Sequence, residues 1–256
     1  MIDKLAFVHP DAKIGNNVTI GPWSYIGADV EIGDDTWISS HVVIKGPSVI
    51  GKGNRFFQFS SIGEECQDKK YAGEPTTLIM GDNNIVRENV TIHRGTIQDN
   101  SETRIGSNNL LMAYVHIAHD CVLGDNIIMA NNASIAGHVH VGDWAILGGM
   151  TGVHQFVHIG AHAFTAGSST IFQDVPPFVM AAGSPAIPRG LNVEGLKRRG
   201  FTKETQHAIR RTYKSLYRKN LTIEEALAEI TADAESDEHV KGMVEFINGS
   251  SRGIIR

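Results

Sequence analysis

Residues 105–146 read IGSNNL-LMAYVH-IAHDCV-LGDNII-MANNAS-IAGHVH-VGDWAI, seven blocks of six that each open on an aliphatic side chain. The opening residues are Ile105, Leu111, Ile117, Leu123, Met129, Ile135 and Val141, and the series continues through Leu147, Val153, Ile159, Thr165 and Ile171. An earlier run keeps the same step, from Ile2 and Val8 through Ile14, Ile20, Ile26, Ile32, Ile38, Ile44 and Ile50 to Phe56. Twenty of these 22 positions are Ile, Leu, Val or Met, which chance does not produce. A period of six fits neither a helix nor a long alternating strand. It fits a short strand plus a turn, repeated, with positions one and five facing a common core. Glycine often follows position one, as at Gly15, Gly33, Gly124 and Gly160, and is expected to supply the turn dihedrals. Three such units close a triangular coil, and coils stack as parallel strands about 4.8 Å apart. The expected architecture is therefore a hexapeptide-repeat parallel β-helix.

The register breaks at residues 64–79 and again at 96–104, while Met80, Val86 and Ile92 keep the period between them. Long loops thrown out of a compact repeat are usually functional or disordered. The first contains Tyr71, Pro75 and paired charges, and a functional role is expected for it. The repeat ends near Pro176-Pro177, so residues 1–190 are assigned to the β-helix and 191–256 to a small α-helical domain. There Thr202 is a candidate helix cap, with Ile209, Tyr213, Leu216 and Tyr217 on one face. Thr222 and Glu225 form a capping-box pattern. Nine of the 23 Lys and Arg lie between Lys197 and Lys219, a block suited to an anion or an acidic partner.

Composition narrows the function. A net charge of -5 excludes a generally basic nucleic-acid coat. Two cysteines make no disulfide framework, no basic-then-apolar leader opens the chain, and no window is apolar enough to span a membrane. A cytoplasmic protein without a membrane span is expected.

Stacking places His119, Gly137, Gln155 and Gln173 in one column and Asp120, His138, Phe156 and Asp174 in its neighbour. Seven of the 12 histidines fall between His116 and His162. Three readings compete: histidines tolerated on a solvated face, a metal site, and general-base catalysis. Zinc needs three or four convergent ligands, and Cys121 sits at an inward position. An imidazole suits proton abstraction near neutral pH, and a carboxylate such as Asp120 can orient it. Chain neighbours on a strand point to opposite faces, so a His119–Asp120 pair requires a turn. Cys121 is read as a buried structural thiol. No G-x-S-x-G elbow appears, which disfavours a covalent acyl-enzyme. Trp144, Met150, Phe156 and Phe164 point outward and suggest a subunit interface or a groove for an apolar chain.

The runs His116-Ile-Ala-His-Asp-Cys121, Val153-His-Gln-Phe156, Gln67-Asp-Lys-Lys-Tyr-Ala-Gly-Glu-Pro75, Ile92-His-Arg-Gly95 and Asn192-Val-Glu-Gly-Leu-Lys-Arg-Arg-Gly-Phe201 closely resemble bacterial UDP-N-acetylglucosamine acyltransferases over essentially the whole chain. The resemblance implies a left-handed coil and a homotrimer with the active site between subunits. It implies transfer of a 3-hydroxyacyl group from acyl carrier protein to the 3-hydroxyl of UDP-N-acetylglucosamine in lipid A biosynthesis, directly, with no cofactor and no metal. By the same resemblance His119 is the general base, Asp120 its orienting carboxylate and Gly137 the oxyanion donor. Asp68, Lys70, His116, His138 and Gln155 line the sugar and thioester pocket. Asn192, Glu194, Arg198 and Arg199 bind the nucleotide, and Gly167 sets acyl-chain length, its missing side chain implying a longer acyl group. Lys69 and Ser184-Pro185 depart from the family pattern. The rival readings are a metal-dependent β-helix hydratase of carbonic-anhydrase type, which calls for stoichiometric zinc, and a non-catalytic β-solenoid, which gives His119 no role.

Overall fold

The computed structural model describes residues 1–234 and 237–256; residues 235 and 236, inside the expected helical domain, lie outside the described residues. Short strands, most of two residues, wind into a left-handed parallel β-helix with three flat sides. Among the described residues the sides are sheets of nine, eight and ten strands. The register is the eighteen-residue step: His116 pairs with Ser134 and Ile117 with Ile135, which pairs in turn with Val153. Position-one and position-five side chains fill the prism. Ile117, Cys121, Ile127, Ala133, Ile135, Val139, Ala145 and Leu147 are all fully buried. Contiguous burial of this kind contributes about 25 cal/mol per Å² of apolar surface removed from water.

The turns are made differently from the expectation. The left-handed backbone falls at position four: Asn108, Tyr114, Asp120, Asn126, Asn132, His138, Trp144, Met150, Phe156, His162 and Ser168 have φ between 58° and 64°. None of these is β-branched, as that conformation requires. The glycines after position one answer to a different demand. A Cβ on Gly33 would lie 2.6 Å from the Gly51 carbonyl carbon, and one on Gly21 2.7 Å from that of Ser39. They are needed because the next coil's backbone passes directly over them.

The two breaks are shorter than the sequence limits. Ser61–Glu64 and Thr77–Met80 are strands, and Glu102–Ile105 is another. Leu78 and Thr103 are buried at position five, so the coil resumes just before them. After the last coil the chain makes an antiparallel hairpin, Val179–Gly183 against Ala186–Leu191, which the periodicity did not foretell. Among the described residues four helices follow: α1 (Val193–Arg198), α2 (Lys203–Tyr217), α3 (Ile223–Ala234) and α4 (Glu238–Gly249). Thr202 caps α2, and Thr222 and Glu225 exchange both capping-box hydrogen bonds. Ile209 and Leu216 of α2 are fully buried with Tyr213 nearly so. The chain then returns to the prism, where Ile254 bridges Asp174.

Candidate active site at one corner of the prism

The corner that follows strand His116–Ile117 carries both predicted columns. Asp120 stands in the left-handed turn with φ 58°, and this turn resolves the problem of facing neighbours: Asp120 Oδ2 lies 2.7 Å from His119 Nδ1. Asp120 is fully buried. Its carboxylate also accepts from the Thr96 N–H (2.9 Å) and Thr96 Oγ1 (2.6 Å). Burial alone would raise this carboxyl, but the hydrogen bonds from His119 and Thr96 outweigh it and hold it below the ordinary carboxylate range. An ionised carboxylate only accepts, so His119 Nδ1 carries the proton and Nε2 is left as the basic nitrogen. Gly137 sits one coil over, against that ring. A Cβ there would lie 2.5 Å from His119 Cε1 and 2.7 Å from Nε2.

Two clefts meet at His119. One, of about 600 Å³, runs along the sheet face over Ala118, Ala136, Gly152, Val153 and Phe172, and is mostly apolar. The other, of about 650 Å³, is polar, with Asp68, Lys70, Gln98, Asp99 and His138 in its walls. Asp68, His119 and Gln155 belong to both. His116 lies in the apolar cleft with Nδ1 2.8 Å from Thr91 Oγ1. Burial, then the neighbouring His93 and His119, push its pKa down to about 4, so it is neutral at physiological pH.

Four residues of this site were not singled out by function in the sequence. His93 holds the Glu65 carbonyl through Nδ1 (2.6 Å) and Gln67 through Nε2 (3.2 Å). Arg94, buried, donates from Nη1 to the Gly46 and Gly63 carbonyls and from Nη2 to the Tyr71 hydroxyl. Together they fix the loop that carries Asp68 and Lys70. Thr96 grips Asp120, and Asp99 Oδ2 lies 2.9 Å from His138 Nδ1. The signal was their place, immediately before and inside the second break of the repeat.

Other predicted residues lie elsewhere in the chain. Asn192 caps α1 by accepting from the Gly195 N–H and donates to the His162 carbonyl. Arg199 lies over the Trp144 ring at 4.8 Å, with its Nε and Nη1 buried and unpartnered. Burial lowers its pKa from the ordinary value. Glu194 pairs with Lys197 at 3.1 Å, and Arg198 is exposed. This group adjoins the Trp144–His162 corner and lines neither cleft at His119. Gly167 stands at the third corner, where a Cβ would meet only the Gly149 carbonyl oxygen, at 3.3 Å. Cys121 is fully buried, which pushes its thiol up to about 12, and it is no nucleophile.

Among the described residues, the ligand atoms that converge as a metal site would need are those of His119, Asp120 and His138, all within 4.8 Å of one another. Both imidazoles already face carboxylates, and Asp120 is filled by Thr96 and His119. The set offers two imidazoles where a three-histidine zinc site needs a third. Among the described residues no helix is long and apolar enough to cross a membrane.

Residues 174–255 match the family model of UDP-N-acetylglucosamine O-acyltransferase domain 2, residues 102–137 the bacterial transferase hexapeptide repeat, and residues 2–105 a GMPPB C-terminal domain. The acyl-[acyl-carrier-protein]--UDP-N-acetylglucosamine O-acyltransferase of Saccharophagus degradans is 56% identical over 255 residues, covering 100% of this chain and 99% of that protein. LpxA of Acinetobacter baumannii superposes with a TM-score of 0.97 at 46% identity, covering 100% of this chain and 99% of its own. The UDP-N-acetylglucosamine O-acyltransferase of Moraxella catarrhalis gives 0.98 at 46% identity, with the same coverage.

Proposed function

The chain belongs to the UDP-N-acetylglucosamine O-acyltransferases, and from that membership we propose how its corner site performs the transfer. It is an acyl-carrier-protein-dependent acyltransferase of lipid A biosynthesis. The group moved is a 3-hydroxyacyl chain, and the acceptor is the sugar 3-hydroxyl of UDP-N-acetylglucosamine. His119 Nε2 takes the hydroxyl proton as the oxygen attacks the thioester carbonyl. Asp120 holds the ring and stabilises the imidazolium that forms. The Gly137 N–H faces the oxyanion, a role in which one donor contributes about 3 kcal/mol. Collapse of the tetrahedral intermediate breaks the C–S bond, and His119 returns the proton to the departing sulfur. No covalent enzyme intermediate forms.

The observation that carries this reading is the buried Asp120–His119 pair at the junction of an apolar and a polar cleft. The apolar cleft suits the acyl chain and its thioester, and the polar one suits the sugar, with Asp68, Lys70, His138 and Gln155 around it. Arginine forks match a diphosphate. The nucleotide group of Asn192, Glu194, Arg198 and Arg199 adjoins another corner, so a second copy must bring it to His119. We take the assembly to be a homotrimer with one such site at each subunit interface, working in the cytoplasm. The basic face of α2, with Arg210 and Arg211, receives the acidic carrier protein. Charge reversal of both is expected to raise the carrier-protein KM and leave that of the sugar unchanged. The hydratase and inert-solenoid readings yield to the family assignment.

The test is an acyl-transfer assay with purified protein, UDP-N-acetylglucosamine and 3-hydroxyacyl carrier protein, run beside His119→Ala. Product from the wild type and a fall of at least about 10²-fold in the variant are expected. A variant as active as the wild type would remove His119 from the chemistry.

A further inference from the structure

The second break in the repeat returns to the site a carboxylate that the mechanism above does not use. Asp99 Oδ2 lies 2.9 Å from His138 Nδ1, and on the opposite edge of the ring His138 Nε2 lies 3.9 Å from Asp120 Oδ2. The two ring nitrogens thus face two different carboxylates. A carboxylate oxygen only accepts, so the Nδ1 that meets Asp99 carries a proton, while Nε2 lies beyond hydrogen-bond distance of Asp120 and keeps its own bonding capacity for a molecule in the cleft. Phe156 is stacked on the same ring, centroid to centroid 4.4 Å and 10° from parallel. A cation over an aromatic face is favoured at that distance. The remaining charged or titratable neighbours are His119, edge-on at 5.0 Å, Asp68 and Lys70 in the walls of the polar cleft, and His140 two residues on. His140 is held below its ordinary value by burial first, then by His158. Only 12% of the His138 side chain is exposed.

We infer that Asp99 and His138 form a second carboxylate–imidazole pair, which presents a charged N–H donor to the polar cleft that receives the nucleotide sugar. The inference rests on the substrate placement proposed above. Asp99 is a positioning residue that acts through His138. The donor shares its cleft with Lys70, Gln98 and Asp68, and that polar company suits the hydroxyl-rich sugar rather than the acyl chain. The two pairs then divide the labour around one oxygen. Asp120 Oδ2 stands between a ring that keeps its proton and a ring that must be free to accept one.

The experiment measures initial rates with UDP-N-acetylglucosamine and 3-hydroxyacyl carrier protein from about pH 6 to about pH 9, spanning the range in which histidine titrates. The full-length wild type is compared with Asp99→Asn and Asp99→Glu. A carboxylate partner favours the protonated ring, so its loss is felt as pH rises. Asp99→Asn is expected to raise the KM for the nucleotide sugar about 10-fold near pH 8 and to approach the wild type near pH 6. The carrier-protein KM stays unchanged, and Asp99→Glu keeps the wild-type profile. A defect equal at every pH, or one falling equally on both substrates, would make Asp99 a loop-folding residue and overturn the pair. If the wild type yields no product, the substrate reading fails by itself. The ring ¹⁵N resonances of His138 in histidine-labelled protein at neutral pH then decide the pair separately: two protonated nitrogens support it and one overturns it.

Discussion

Between Ile105 and Ile171 the chain never misses a step of six, whereas between Ile62 and Ile105 it leaves the coil twice. In the unbroken region each strand pairs with the one eighteen residues on, as Ile117 does with Ile135. Across the breaks Ile50 pairs with Met80 and Ile92 with Ile117. The regular region places its functional side chains by period alone: His119, Gly137 and Gln155 share a column because the backbone repeats. The broken region places Asp68, Lys70, Thr96 and Asp99 by the path of two loops, and each path is held by hydrogen bonds from strand residues that precede or adjoin it. One half of the site is therefore indexed by arithmetic and the other by anchoring. The two halves should fail differently.

The largest failure is expected in the regular half. Gly137→Ala puts a methyl carbon where His119 now lies. The ring must move by about 1 Å to clear it, and a misplacement of that size should lower acyl transfer by about 10² or more in steady-state kcat. Thermal stability should hardly change, because the displaced His119 ring borders the two clefts rather than the apolar core. A near-wild-type kcat would mean the column is packed more loosely than its geometry requires.

Next comes the anchored half. Thr96→Val removes the hydroxyl bond to Asp120 and leaves the amide bond in place. A bond to a buried charge contributes about 1.5–3 kcal/mol. The Asp120 carboxyl lies below its ordinary value in the folded protein, so this stabilisation is fully present above the unfolded carboxylate range. It is lost as pH falls through the lower, folded value. Urea melts of wild type and variant should thus differ at neutral pH and converge in acid. A gap that persists unchanged in acid would break the assignment.

Gly167→Met sharpens the comparison at the third corner. Only the Gly149 carbonyl oxygen, at 3.3 Å, lies near its Cβ, so a side chain enters with a small shift there, and the variant should prefer a shorter acyl donor about 10-fold or more in kcat/KM. Unchanged preference would detach Gly167 from chain length. The smallest effect is expected for Cys121→Ser. Its thiol is fully buried and donates to the Ala136 carbonyl at 3.2 Å. Activity should stay within about two-fold, with a loss of about 1 kcal/mol in stability; a collapse of kcat would reopen the thiol as a participant.

The prism was legible because every sixth side chain must be apolar to fill it, and no helix or flat sheet imposes that step. The His119 column followed from the same count. Two features were hidden. The left-handed turns at position four carry Asn, Asp, His, Trp, Met and Phe alike, and nothing in those side chains announces the backbone that holds them. The glycines drew attention for the wrong reason, since their service is to let the next coil pass. Thr96 and Asp99 were invisible because a loop's landing point depends on its anchors, and Arg94 and His93 look in sequence like part of an ordinary strand end. The hairpin at 179–191 escaped for want of any period at all.

The eighteen-residue register also restricts how such a chain can be inherited. Loss of eighteen residues would shorten the prism by one storey and leave every later side chain on its own face. Loss of six would turn all that follows by a third of a revolution, preserving a well-packed solenoid while carrying the Gly137 and Gln155 column away from His119. Fold and site thus respond to different units of length change: six suffices to keep the first, and only eighteen keeps the second.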